Sequence, residues 1–134
     1  MKQQNTLDYQ TACAALLLSV AGADEILEPT EIVTIKDILK FYFEIDGNEV
    51  QELIEKTQIE MKKSVGLFEY GRIINNSLEL EDKIEFIKCV FEVAYSDGDL
   101  HYLEHHTIKN IANILNVEHK DLICAKTEIS QFLK

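Results

Sequence analysis

Apolar residues return every three or four positions along nearly the whole chain, and only one proline and five glycines interrupt its 134 residues. That period marks one face of an α-helix rather than the alternation of a half-buried strand, so the pattern predicts an all-α fold. Seven helices are expected, over residues 7–23, 29–43, 48–63, 67–77, 81–96, 101–115 and 119–132. Pro29 falls at the first position of its helix, where a missing N–H costs nothing, and the Asp46-Gly47 pair breaks the chain before the third helix. Short connections should make successive helices antiparallel or steeply crossed neighbours.

Two segments are apolar on more than one face: Leu16, Leu17, Leu18 and Val20 in the first, and Phe86, Ile87, Val90, Phe91 and Val93 in the fifth. They are expected to form a central pair with the other helices around it. The run Ala12 to Ala23 is too short for the roughly twenty residues that cross a bilayer, so it reads as a core helix. The opening "MKQQNTLDYQ" lacks the basic start of a secretory signal, so a cytoplasmic location without membrane insertion is expected.

The chain also repeats itself. Sliding Ala21–Ile38 by 73 positions sets "AGADEILEPTEIVTIKDI" against "AYSDGDLHYLEHHTIKNI". Ala21 meets Ala94, Asp24 meets Asp97, Leu27 meets Leu100, Glu31 meets Glu104, and Thr34-Ile35-Lys36 meets Thr107-Ile108-Lys109. Each copy reads as an apolar helix, an acidic turn, an amphipathic helix and a shorter closing helix, with the segment 67–77 between the copies. The expected architecture is two pseudo-equivalent helical repeats around the central pair, in one domain spanning 1–134.

Charge narrows the function. A net charge of -11 with only 13 Lys and Arg excludes a nucleic-acid binder, which needs cationic side chains to displace phosphate counterions. An acidic surface suits cations or a basic protein partner. Cys13, Cys89 and Cys124 are odd in number, far apart and set in apolar runs, so they read as core residues in a reducing compartment rather than a disulfide framework or zinc clip. Tyr9, Tyr42, Tyr70, Tyr95 and Tyr102 read as core or boundary aromatics.

Carboxylates crowd both turns: Asp24, Glu25, Glu28 and Glu31 in the first copy, Asp97, Asp99 and Glu104 in the second. Neither Lys nor Arg occurs from Gln3 to Ile35 or from Cys89 to Ile108. Oxygen ligands at that density are what a hard divalent cation such as Ca²⁺, Mg²⁺ or Mn²⁺ requires. The competing reading is capping: Asp97 or Asp99 can cap the helix that follows, and a first-turn Glu31 gains about 0.3–1 kcal/mol from the helix dipole. The same seven-residue Asp-to-Glu spacing at both turns sets a metal site level with capping, with Asp24, Glu28, Glu31, Asp97, Asp99 and Glu104 as candidate ligands.

Sharper motifs fail on geometry. "DGDLHYLE" has its glycine at the second position and its glutamate at the eighth, so a twelve-residue EF-hand loop cannot close. "HYLEH", His101 to His105, fits a zinc-peptidase pattern, but 29 residues downstream leave no room for the distant third ligand such enzymes use. A polar face is the simpler reading of His101, His105 and His106, with incidental Zn²⁺ binding next. No phosphate-binding glycine loop or nucleophile elbow is present, and the reading is non-enzymatic.

Two Ala-x-x-Asp turns, each followed by a Glu seven positions after the Asp in a seven-helix chain of this length, resemble the TerB-like proteins. These are named for tellurite resistance, and related domains occur in DjlA-type co-chaperones. The resemblance covers roughly residues 8–130. It implies an all-α fold with helix repeats, an acidic site built from Asp24, Glu31, Asp97 and Glu104, and a role in binding metal ions or scaffolding stress-response complexes. This chain departs from the usual Ala-Asp-Gly start, with Glu25 after Asp24 and with Ser96 before Asp97. The function expected is a module that holds a divalent cation at an acidic surface and engages a protein partner. The alternative is an interaction domain whose acidic turns dock a basic partner without metal.

Overall fold

A computed structural model describes residues 2–22, 28–63, 66–96, 98, 100 and 102–132, with side chains from Tyr9 onward. Every regular element among them is helical: α1 Lys2–Ala21, α2 Pro29–Phe43, α3 Gly47–Met61, α4 Leu67–Ser77, α5 Leu80–Ala94, α6 Tyr102–Ile114 and α7 His119–Phe132. The expected spans hold to within two residues except at the start of α1, five residues earlier than the apolar pattern suggests. Lys2, Gln3 and Gln4 are good helix formers with no breaker behind them, so the helix runs on past its patterned part. The closing helices α3 and α7, of 15 and 14 residues, are not shorter than α2 and α6, of 15 and 13.

Helix boundaries follow local chemistry. Pro29 opens α2, and Asp46 caps α3, its Oδ1 accepting from the Glu49 N–H at 2.8 Å while Glu49 Oε1 accepts from the Asp46 N–H at 3.1 Å. α2 and α6 end alike: Glu44 and Asn116 adopt left-handed backbone at φ 51 and 60. The next N–H then reaches back five residues, Ile45 to the Lys40 carbonyl and Val117 to that of Ala112.

α1 is the hub. It packs against α2, α3, α4, α5 and α6, and its residues from Thr11 to Leu18 are all buried. Ala12, Ala14 and Ala15 keep part of that surface thin enough for neighbouring helices to come close. α5 packs against α1, α2, α6 and α7. Its seven buried residues, Phe86, Ile87, Cys89, Val90, Phe91, Val93 and Ala94, fall under the 73-residue shift on buried positions of α1. The buried set of α2, Glu31, Ile35, Ile38 and Leu39, falls on that of α6, Glu104, Ile108, Ile111 and Ala112. In α3 and α7 the match needs a shift of 72, which sets Val50, Leu53 and Thr57 against Leu122, Ala125 and Ile129.

α4 packs against α1 and α6. Gly71 lets it approach closely, since a Cβ there would collide with Cγ2 of Ile114. One turn on, Asn75 Nδ2 donates to the Ile114 carbonyl at 2.6 Å, satisfying an acceptor at the end of α6.

Two expectations about single residues are corrected. Cys13 and Cys89 are buried, and burial pushes their thiols up to about 12 and about 11, but Cys124 is exposed. Tyr102 is 83% exposed rather than at a core boundary, while Tyr70 is buried as expected. No helix among the described residues is long and apolar enough to cross a membrane.

Candidate functional site

The acidic turns precede α2 and α6. Of the expected ligands, Glu28, Glu31 and Glu104 fall within the described residues, whereas Asp24, Asp97 and Asp99, like His101, lie outside them. Glu28 is the half-buried N-cap of α2, in extended backbone at φ -73 and ψ 142. Glu31, the third residue of α2, reaches back so that its Oε1 accepts from the Glu28 N–H at 3.2 Å. Glu104 occupies the same third position in α6.

Both carboxylates are withdrawn from water. Glu31 is 1% exposed and Glu104 0%, and they are the two buried residues of charged type among the described residues. Taking an ionised carboxylate out of water costs several kcal/mol unless partners offset it. The first turn of a helix supplies part of that offset through its free N–H groups and the positive end of its dipole. Capping alone does not demand burial, however: Glu49 does the same job at the start of α3 and is exposed. α2 and α6 each pack against both α1 and α5, so the two buried glutamates begin helices that share the same two supports. Among the described residues no group of three or more His, Cys, Asp and Glu is placed to hold a metal ion.

Burial of Glu31 and Glu104 was missed in the sequence, although it left a signal. Glu31 lies in phase with Ile35 and Ile38, and Glu104 with Ile108 and Ile111, so each begins the apolar stripe of its helix. Beside Glu104, Tyr102 and Leu103 are exposed, which places an aromatic and an aliphatic side chain on the surface at the second turn.

His105 contributes little to a zinc reading. Its Nε2 is shielded from solvent and has no hydrogen-bond partner among the described residues. Burial lowers its pKa, and Lys126, Lys109 and His119 lower it further. Two of those neighbours, Lys109 and Lys126, are cations and would disfavour a metal ion beside the ring as well. His106 is exposed.

The depressed His105 pKa predicts an acid-side weakness. With a folded value below the ordinary 6.5, the unfolded chain binds the proton more readily, so stability should fall as pH drops below about 6.5 and level off once the folded state is also protonated. Melting temperatures measured across that window should decline more steeply for the parent chain than for His105→Gln. Equal slopes would show that another group governs the acid limb.

A family model described as tellurite resistance protein TerB matches residues 10–127. Neither a curated protein nor a solved structure matches the chain.

Proposed function

Since the chain belongs to the TerB family, we propose that it is a non-enzymatic cytoplasmic module that binds a divalent cation at the acidic turns before α2 and α6 and engages a protein partner through that surface. The observation that carries the reading is the pair of buried glutamates, Glu31 and Glu104, at matched first-turn positions. A cap needs only an acceptor at the helix end and leaves burial of the side chain unexplained, whereas a cation would offset the cost of holding carboxylates out of water. Asp24 and Asp97 precede these glutamates by seven residues each, and Glu28 and Asp99 add oxygens to the two turns. Ca²⁺, Mg²⁺ and Mn²⁺ suit an all-oxygen set, with Zn²⁺ a fourth candidate. Two buried free thiols fit a reducing cytoplasm. A setting in tellurite response follows from the family description, and one in stress response from the resemblance to TerB-like proteins.

Tyr102 and Leu103 favour a second reading. Exposed apolar side chains beside an acidic turn suit docking of a basic, partly apolar partner with no metal between them.

Thermal melts of the parent chain, Asp24→Asn, Asp97→Asn and the double variant, in chelator and with each of the four cations, separate the two readings. Asparagine keeps a capping oxygen, so metal-free stability should be unchanged or slightly raised by relief of like-charge repulsion. At a hundredfold excess over Kd a bound cation should stabilise the parent by about 2.7 kcal/mol and each variant much less. The two substitutions should be non-additive in the cation-dependent part. If no cation shifts the parent, the metal-free docking surface is the better reading.

A further inference from the structure

A cavity of about 240 Å³ opens between α1, α2 and the start of α5. It lies at the far end of α2 from the acidic turn. Ile38, Leu39, Tyr42 and Phe43 line it from the last two turns of that helix, on the order of 15 Å along the axis from Glu31. Its buried lining is apolar, with Leu17, Leu39 and Phe86 at its floor, and its exposed members are Tyr42, Asp82 and Glu85. Polarity therefore runs from an apolar floor to an acidic rim, and among the described residues the lining contains no Lys or Arg. Glu81 and Ile84 extend the rim in a shallow depression that shares Asp82 and Glu85.

Capping explains only part of this arrangement. Glu81 and Asp82 stand in the first turn of α5, where negative charge is favoured, yet a cap does not require a void beneath it. The space is many times what one ordered water needs, and an unfilled apolar void beside a core lowers stability in proportion to its size. Lys88 offsets the rim charge only in part, because its Nζ is shared between Glu85 at 2.8 Å and Glu128 at 2.7 Å. Burial first, then the thiol of Cys13 and then the carboxylate of Asp82 push Tyr9 up, while burial, the thiol of Cys89 and then Glu85 do the same to Tyr42. Cys89 Sγ donates to the Tyr42 hydroxyl at 3.4 Å behind the cavity, and Cys13 lines it directly, so neither thiol adds positive charge there.

We propose that this cavity binds a small amphiphilic cation, its aliphatic or aromatic body against Leu17, Leu39 and Phe86 and its ammonium or guanidinium head at Asp82 and Glu85. A concave, mostly apolar site with a few polar groups at one end is the usual form of a small-molecule pocket. The two rim carboxylates select the sign of the head group, and the floor is indifferent to it. The site is independent of cation binding at the acidic turns, so a negative result there leaves it untouched.

Matched probes with one tail and three heads, n-octylammonium, n-octanol and n-octanoate, test this on the full chain by nitrogen-15 NMR titration. Octylammonium should move the amide signals of Cys13, Leu39 and Phe86 and bind roughly tenfold more tightly than octanoate at low salt, each exposed carboxylate contributing a few-fold. High salt should narrow that gap and leave octanol unaffected. Asp82→Asn combined with Glu85→Gln, both at exposed positions, should abolish the preference while octanol still binds. The proposal is overturned if octanoate binds as tightly as octylammonium, if the shifted signals map elsewhere, or if neither octylammonium nor octanol binds below its aggregation limit.

Discussion

Replacing Phe91 by alanine should cost about 3–5 kcal/mol of unfolding free energy, and Leu17→Ala about 2–5 kcal/mol. Both side chains are 0% exposed, on α5 and α1 respectively, the two helices with buried residues on the most sides. Deleting either the ring or the isopropyl group removes its transfer energy and leaves a void that rigid neighbours from several helices cannot close. Tyr102→Ala, at a residue 83% exposed, is the control and should stay within about 0.5 kcal/mol. Chemical denaturation followed by circular dichroism reads all three. A loss of a few tenths for Phe91→Ala would mean that α5 is not part of the central pair.

The second large effect should come from the buried glutamates in metal-free buffer. Glu31→Ala and Glu104→Ala should each destabilise by about 1–3 kcal/mol, because truncation removes a buried acceptor and leaves a void in its place. For Glu31 that acceptor serves the Glu28 N–H. Glutamine at either position keeps an acceptor and should cost less. The double alanine variant carries further information. If the two carboxylates face one volume, their losses should depart from additivity by more than about 0.5 kcal/mol, whereas separate caps should add to within that margin. Exposed Glu49→Ala is the matching cap control, with an expected cost at the lower end of the range of about 0.5–2 kcal/mol.

Most of the helical layout was readable because its determinants are local. Pro29, Asp46-Gly47 and the three- to four-residue period act within a turn or two of where they stand, and the boundaries follow them. The start of α1 escaped because Lys2 to Gln4 form helix by propensity, which leaves no apolar mark. Cys124 was misplaced for the opposite reason: its neighbours Leu122, Ile123 and Ala125 are apolar, but Leu122, Ala125 and Ile129 define the buried stripe and Cys124 is out of phase with it. At the acidic turns, repetition picked out Glu31 and Glu104, yet composition gave no reason to bury them; only their phase with the isoleucines did. The cavity under Asp82 and Glu85 was not legible at all. Its walls come from α1, α2 and α5, and no local pattern records that three distant segments fail to fill the space between them.

The position of α1 bears on how the protein is made. The hub helix is synthesised before all five helices that pack on it, and once α3 is made three of them, α4, α5 and α6, are still to come. At roughly 5–20 residues per second, the interval before α6 leaves the ribosome is on the order of several seconds. Throughout it, Leu16, Leu17, Leu18 and Val20 lack their full set of neighbours. The nascent chain is therefore most prone to sticking while half made, and a block of translation between α3 and α4 should yield an aggregation-prone fragment rather than a smaller folded one.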